Sequence, residues 1–467
     1  MTKRIGLALS LALLAGCSQV PVYHPPVTPA APAFREGGPW AAANPSTLAA
    51  AGPWWEGFGD ATLNDLEGRI EKDSPTLAGA LARRGEAAAS LRRARADALP
   101  SVTLNSNTTY NRQSQDRPLR NSTQENLYGA NTLGGTFAYE VDLWGRVRAQ
   151  VAAGRANYVA SQDDVAAIRL SLQADVAADY ITLRGLDREM DLLVHTVAAY
   201  QQADDVTRHR FHGGIATGIE TGQSGAQLAD AQAQLADVRA ARARVEHAIA
   251  TLVGASASDL VLAPATTPLM ALSADVGLPS SLLQRRPDIA AAERRMFAAN
   301  ASIGAARAAA FPQVGLGATG GTNSTVLSGL FSAPNILWAL GPSISFPLFD
   351  GGRNKAAILT ARAHWEEAAA SYRGSVLTAF QQVEDSLSDL HHLGEEDAAE
   401  HRAVTNAEQA AQLSLNRYTK GASSYLDVVT AQTTELTARR KALQVETSRL
   451  QAGVSLVRAL GGGWQKT

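Results

Sequence analysis

Apolar residues recur every three or four positions from 165 to 197. Val165, Ile168, Leu172, Val176, Tyr180, Leu183, Leu186, Met190, Leu193 and Val197 carry the stripe. That step is the period of an α-helix with one buried face. Nearer the C-terminus the repeat is a heptad: Val429, Leu436, Leu443, Leu450 and Val457. Sustained heptads predict coiled-coil packing. A second seam, Leu426, Thr433, Arg440, Thr447 and Val454, has three polar members and predicts a face toward water or a lumen.

Elsewhere the period is two. Val102 and Leu104 alternate with polar residues, as do Phe137, Tyr139, Val141 and Leu143. So do Val314 and Leu316, and then Trp338, Leu340, Ile344, Phe346 and Leu348. Thr136, Glu140, Asp142, Ser343 and Ser345 fall on the opposite faces. Alternation over about ten residues suits a membrane barrel strand. Pro342 and Pro347 mark edges or bends, because proline cannot donate to a ladder. No proline lies from 119 to 263 or from 348 to 467, as very long helices require.

An internal repeat organises these elements. Arg95-Ala-Asp-Ala-Leu-Pro100 matches Arg307-Ala-Ala-Ala-Phe-Pro312 at an offset of 212. Gly145-Arg146 matches Gly352-Arg353, and Arg210-Phe211 matches Arg417-Tyr418, at 207. The heptad positions of the second half fall on Gly222, Ala229, Ala236, Ala243 and Ala250, so one seam is expected in both halves. The expected organisation is a first repeat at 60–263, with strands near 101–143 and a helical hairpin near 145–254. A second follows at 264–467, with strands near 312–348 and a hairpin near 352–460. Four strands cannot close a barrel, and lipid does not tolerate an open sheet edge. Three copies give twelve strands, an allowed even number.

The N-terminus adds a membrane address. Met1-Thr2-Lys3-Arg4 precedes an apolar run from Ile5 to Leu14. This is a charged region and a core too short to span as a mature helix, hence a signal peptide over 1–16. Leu14-Ala15-Gly16-Cys17 resembles the bacterial lipobox, which makes Cys17 the lipid attachment site. Ser18 follows rather than Asp, which in that resemblance favours the outer membrane. Residues 17–59 are rich in Pro and Ala and read as a lipidated tether. The net charge of −2 lacks the basic surplus of a nucleic-acid protein. One cysteine in 467 residues excludes disulfides within the chain.

The run Leu278-Pro-Ser-Ser-Leu-Leu-Gln-Arg-Arg-Pro-Asp-Ile289, on to Ile303-Gly-Ala-Ala-Arg307 and Pro312, resembles the central signature of outer membrane efflux lipoproteins. These are TolC-like outer membrane factors of the NodT type. Trp54-Trp55-Glu56-Gly57-Phe58-Gly59-Asp60 resembles their N-terminal signature, and Arg417-Tyr418 through Gly421 to Leu426-Asp427-Val428 their helix-tip signature. The resemblance implies a homotrimer with a shared twelve-stranded barrel, four strands per chain, and a periplasmic α-barrel of long coiled helices. It also implies a periplasmic adaptor and an inner-membrane pump, of the RND type, as partners. It implies no cofactor.

Each half reverses at a glycine turn, Gly213-Gly214 and Gly421, which is ordinary C-cap chemistry. The resemblance makes these turns the adaptor-facing tip that narrows the pore. Arg210, Phe211, Arg417 and Tyr418, beside the turns, are read as interhelical contacts that latch the closed state; packing without gating is the plain alternative. The family's constriction pattern is Asp-x-x-Asp. Asp427 matches its first position and Thr430 stands at the second, with Ser423 and Ser424 in the turn. A ring of three Asp427 side chains would line the gate; a first-turn capping acid is the plain alternative. Gly315-Leu-Gly317-Ala-Thr-Gly320 fits a dinucleotide pattern but lacks the following helix. His209, His212, His391 and His392 are read as solvated, with no acidic partner at ligand spacing. No metal or catalytic set is expected. The runner-up function is a non-conducting envelope scaffold, and the strands discriminate against it.

Overall fold

The computed structural model describes residues 18–26, 33–36, 53–116, 123, 125–272 and 285–464. The signal peptide 1–16, Cys17, most of the tether and residues 278–284 of the central signature lie outside them. Seven helices and four strands of the described residues are numbered here. They are α1 (Ala61–Asp73), α2 (Pro75–Ala96), β1 (Ser101–Arg112), β2 (Leu127–Val141), α3 (Arg146–His212), α4 (Gly218–Leu252), α5 (Pro287–Ala308), β3 (Gln313–Ser324), β4 (Ile336–Ser345), α6 (Arg353–Thr419) and α7 (Tyr425–Ala459).

The repeat is visible in the lengths. α3 and α6 each hold 67 residues, and α4 and α7 each hold 35. At 1.5 Å per residue the longer pair reaches about 100 Å. Both pairs begin and end at an offset of 207. α2 and α5 each hold 22 residues at an offset of 212. No described helix is long and apolar enough to cross a membrane.

The chain divides into two compact units. The first takes the described residues of Met1–Pro26, Arg83–Gln162 and Ala291–Tyr372. Its centre is an antiparallel sheet in the order β1-β2-β3-β4. The registers Val102↔Phe137, Phe137↔Ala318 and Ala318↔Leu340 put four apolar or small residues in one row. The next row on that face joins Leu104, Gly135, Gly320 and Trp338. The opposite face aligns Thr103, Thr136, Thr319 and Ala339. Strands therefore present one apolar and one polar face, as period two requires. Pro342 sits in edge strand β4 opposite Leu316, and β4 ends before Pro347. The Gly315–Gly320 run lies inside β3, and no helix follows it directly.

The stretch after Cys17 is docked. Asn300 Nδ2 donates to the Pro21 carbonyl at 2.9 Å, and the Tyr23 and Phe297 rings meet edge-on at 5.1 Å. A Cβ at Gly304 would come within 2.4 Å of the Val20 side chain.

The second unit takes the described residues of Val27–Ala82, Asp163–Ala290 and Arg373–Thr467. Asp60 caps α1 by accepting from Thr62 and Leu63 N–H at 2.8 and 3.1 Å. α1 then buries Leu63, Leu66 and Ile70 in a core with Val176, Tyr180, Leu183, Ile249 and Val454. No member of the α3 stripe is exposed.

The α7 seam behaves as its heptad predicts, with Leu436 and Val457 buried. Its second seam is exposed at Leu426 and Thr433 but turns inward further on. Arg440 reaches Glu189 and Gln234, and Val454 is buried. The equivalent seam in α4 holds only at its C-terminal end, where Ala243 is half-buried and Ala250 buried: Gly222, Ala229 and Ala236 are exposed, and Leu228, Leu235 and Val238 are buried instead. Glycine and alanine bury too little area to orient a helix, so the larger side chains choose the buried face.

Candidate functional site

The helix turns lie in the second unit, and both are built the same way. Ile215 N–H donates to Arg210 O at 2.8 Å, and Ala422 N–H to Arg417 O at 2.8 Å. Gly214 N–H reaches Phe211 O at 2.9 Å, and Gly421 N–H reaches Tyr418 O at 2.9 Å. These pairs form Schellman motifs, which require a left-handed residue. Gly214 and Gly421 supply it at φ 77° and 75°. Gly213 precedes the first of them in the turn.

Each following helix opens on a capping box. Thr217 pairs with Glu220, and Ser424 with Asp427. Asp427 accepts from both the backbone N–H and the hydroxyl of Ser424 at 3.1 Å. It is exposed, as is Thr430 one turn on. Ser423 is half-buried, and its hydroxyl has no partner.

The two turns differ in what their aromatic residues do. Tyr418 is buried and packs edge-on against Tyr425, ring centroids 5.2 Å apart. The Arg210 guanidinium sits 4.6 Å from the Tyr418 ring centre, a cation–π contact between α3 and α6. The Tyr425 hydroxyl donates to Gln227 of α4 at 3.4 Å, and Gln227 Nε2 donates to Gln432 of α7 at 3.1 Å. Burial pushes the Tyr425 phenol up to about 12. The other two latch residues do not cross between helices. Arg417 is exposed and turns toward the Ala422 carbonyl in its own turn. Phe211 is 45% exposed and packs on its neighbour His212.

A polar hub that the sequence reading did not single out lies one to two turns from the first tip. Buried Asp204 accepts from Ser224 Oγ and from Arg208 Nε, each at 2.6 Å. Burial raises its pKa, but the Ser224 hydrogen bond and the Arg208 charge outweigh that and hold it below the ordinary carboxylate value. The readable signal was the i,i+4 spacing of Asp204 and Arg208.

A buried charge cluster ties the segment after α4 onto the helices. Asp187 accepts from Arg184 at 2.8 Å, Arg242 at 2.6 Å and the Ala265 N–H at 3.0 Å. The same two arginines reach the carbonyls of Ala263 and Leu262.

One histidine reading needs correction. Glu395 does stand at ligand spacing from His391 and His392, one helical turn on, with ligand atoms within 4.8 Å of one another. All three are exposed, and helical i,i+3 and i,i+4 geometry accounts for the cluster.

The sheet with an apolar face and the twin 67-residue helices together define a class: membrane-barrel proteins that carry a long helical extension. Comparison with known proteins narrows it. The profile of the outer membrane efflux protein family matches residues 68–255 and 278–462, once per repeat, and the chain belongs to that family. It is 32% identical over 464 residues to outer membrane protein OprJ of Pseudomonas aeruginosa, covering 98% of this chain and 96% of that one. It is also 32% identical over 473 residues to the toluene efflux pump outer membrane protein TtgF of Pseudomonas putida, covering 99% and 97%. The solved outer-membrane channel OprN superposes with a TM-score of 0.88 at 30% identity, over 96% of this chain and all of that one. This chain has the fold of the trimeric outer-membrane channels, and its sheet is the four-strand share of a common barrel. It is an outer membrane export channel of an efflux system, with its long helices in the periplasm.

Proposed function

We propose that the chain is the passive outer-membrane duct of a tripartite pump, with its gate at the α3–α4 and α6–α7 turns. A periplasmic adaptor docks those turns, and an inner-membrane pump of the RND type supplies the energy. The observation that carries the gate is the Arg210–Tyr418–Tyr425 cluster, which ties the ends of α3 and α6 to the start of α7. A contact between helix ends can hold a closed state, and a partner that binds the open state better will shift it. Asp427 supplies one carboxylate per chain at the constriction, and Thr430 leaves the second family position uncharged. Cys17 becomes the acylated N-terminus once residues 1–16 are removed, and 17–59 links the anchor to the repeats at 60–263 and 264–467.

Single-channel recording in planar bilayers tests the duct and the gate together. Conductance that rises in Arg210→Ala and Tyr418→Ala supports the reading. A trimer that stays silent in every tip variant overturns it and favours a non-conducting scaffold. Asp427→Asn keeps a capping side chain and removes the charge. It should weaken cation block from the periplasmic side, whereas Ser424→Ala, which leaves the carboxylate in place, should not.

A further inference from the structure

The whole chain carries slightly more acid than base, 44 residues against 42. The helix ends next to the sheet reverse that balance. α2 ends on Arg92, Arg93 and Arg95, α5 on Arg307, and α6 opens on Arg353 and Lys355. All six lie within ten residues of a strand end, on the side where the long helices leave the sheet. None makes an ion pair among the described residues. The acids of the same zone are engaged elsewhere. Glu140 pairs with Arg146, and Asp142 with Arg148. Asp350 accepts from the Gly352 and Asn354 N–H groups, both at 2.8 Å, and also feels the charge of Arg353, which makes Arg353 the least free of the six. Asp97 acts on Arg146.

The strand ends beside these cations are apolar and aromatic. Leu99, Phe346, Leu348 and Phe349 are exposed, the last at 92%. Trp144 stacks on Phe311 at 4.8 Å and donates its Nε1–H to the Pro312 carbonyl. Apolar residues, then aromatic rings, then basic side chains is the order met on crossing from lipid to water. A groove of about 510 Å³ opens at this level, where β2 runs past the first residue of β1. Tyr139, Val147 and Val151 wall it, and Arg95, Arg148, Glu140 and Asp142 line it; the two carboxylates are held by Arg146 and Arg148, which leaves Arg95 as the cation without an ion pair there.

We infer that this collar binds the phosphate headgroups of anionic phospholipid in the periplasmic leaflet of the outer membrane, with Arg92, Arg93 and Arg95 as its main cluster and the groove holding the glycerol end of one lipid. Charge complementarity selects the partner: unpaired guanidinium groups at a lipid–water boundary meet phosphate first. The inference rests on the outer-membrane placement of the sheet. Three copies around one barrel would repeat the collar three times.

Native mass spectrometry of the full-length protein in micelles with equal phosphatidylglycerol and phosphatidylcholine tests it. The wild type should retain phosphatidylglycerol in preference, and 0.5 M salt, about 4 Å of screening length, should reduce the excess. Arg92→Gln/Arg93→Gln/Arg95→Gln should lower retention by roughly fivefold for each guanidinium neutralised. Arg353→Gln/Lys355→Gln should lower it too, as an independent check on the collar. Arg239→Gln/Arg244→Gln, on α4, should leave it unchanged. Equal retention of the two lipids by the wild type, or equal loss in the α4 variant, overturns the inference. The same spectra report the oligomer, so failure of the trimer is read separately from loss of lipid on an intact one.

Discussion

The two halves share a backbone and differ in what they bury. Their long helices match residue for residue in length, and their turns share the same pair of Schellman bonds. Yet the long helices of the first half bury charge where those of the second half do not; the buried charge of the second half, Arg286, lies ahead of α5. Arg184 and Asp187 are 6% and 1% exposed. Their counterparts at an offset of 207 are His391, which is exposed, and Gly394. Asp204 is buried, and its counterpart is Ala411. At the tips the contrast runs the other way. Tyr418 is buried where its twin Phe211 is exposed, and Tyr425 fills a position that Gly218 leaves empty. Helix length and turn geometry depend on backbone hydrogen bonds and two left-handed glycines, which many side chains permit. Interior chemistry depends on what each face meets.

The largest expected effect comes from the buried charges. Asp187→Ala leaves Arg184 in the interior without a carboxylate, while Arg242 keeps Glu246 at 2.9 Å; it should cost about 3–5 kcal/mol, since an unpaired buried charge is far worse than a missing pair. Hydrogen-exchange protection of α3 and α4 should fall while that of α6 and α7 holds. Equal loss in both hairpins would show that the halves are not separable in this way.

Tyr425→Ala should cost about 3–4 kcal/mol in the tip of the second half by opening a cavity between α4, α6 and α7. The readout is faster proteolysis of the α6–α7 turn. A matching gain at the α3–α4 turn would break the contrast between the tips.

Glu67 sharpens the comparison through pH. It lies on the apolar stripe of α1, is 1% exposed, and neither carboxylate oxygen has a partner. Burial pushes its pKa up to about 9, from an ordinary 4.5. A carboxyl raised on folding leaves stability intact below pH 4.5. Stability is then lost as pH climbs toward 9, because the unfolded chain ionises first. Glu67→Leu should therefore stabilise the protein, by on the order of 3 kcal/mol at pH 8 and by much less at pH 4.5. A gain that does not depend on pH would mean that Glu67 is ionised in the folded state.

The smallest effect is at the latch. Arg210→Gln removes a half-exposed cation–π contact worth about 1 kcal/mol. That should raise the open probability in bilayer recordings by roughly fivefold, with no change in melting temperature. Arg417→Gln, whose side chain stays in its own turn, should change neither.

Much of this was legible beforehand because it is local. The stripe from Val165 to Val197, the alternation around Phe137 and Leu340, and the glycines at 214 and 421 each act within a few residues. The repeat extended those readings to whole helices. Of the four latch residues read from sequence, Arg210 and Tyr418 meet. Arg417 and Phe211 do not, because adjacent residues on a helix point about 100° apart and only one of each pair can face the neighbouring helix. The Ala-rich seam of α4 misled for a related reason: a heptad of small side chains marks close-packing positions but carries little energy to turn them inward.

The sequence by itself determined the elements, their lengths, the polar and apolar faces of the strands, and the need for more than one chain to close the sheet. Periodicity and backbone hydrogen bonding are properties of neighbouring residues, and the open edges follow from counting strands. Only the tertiary structure decided which acids and bases are buried. The i,i+3 spacing of Arg184 and Asp187 is that of an ordinary helical ion pair; what buries it is the segment at Ala263 and Ala265, 79 and 78 residues further along the chain. Burial belongs to the partner that covers a group, and no period within a helix encodes that partner.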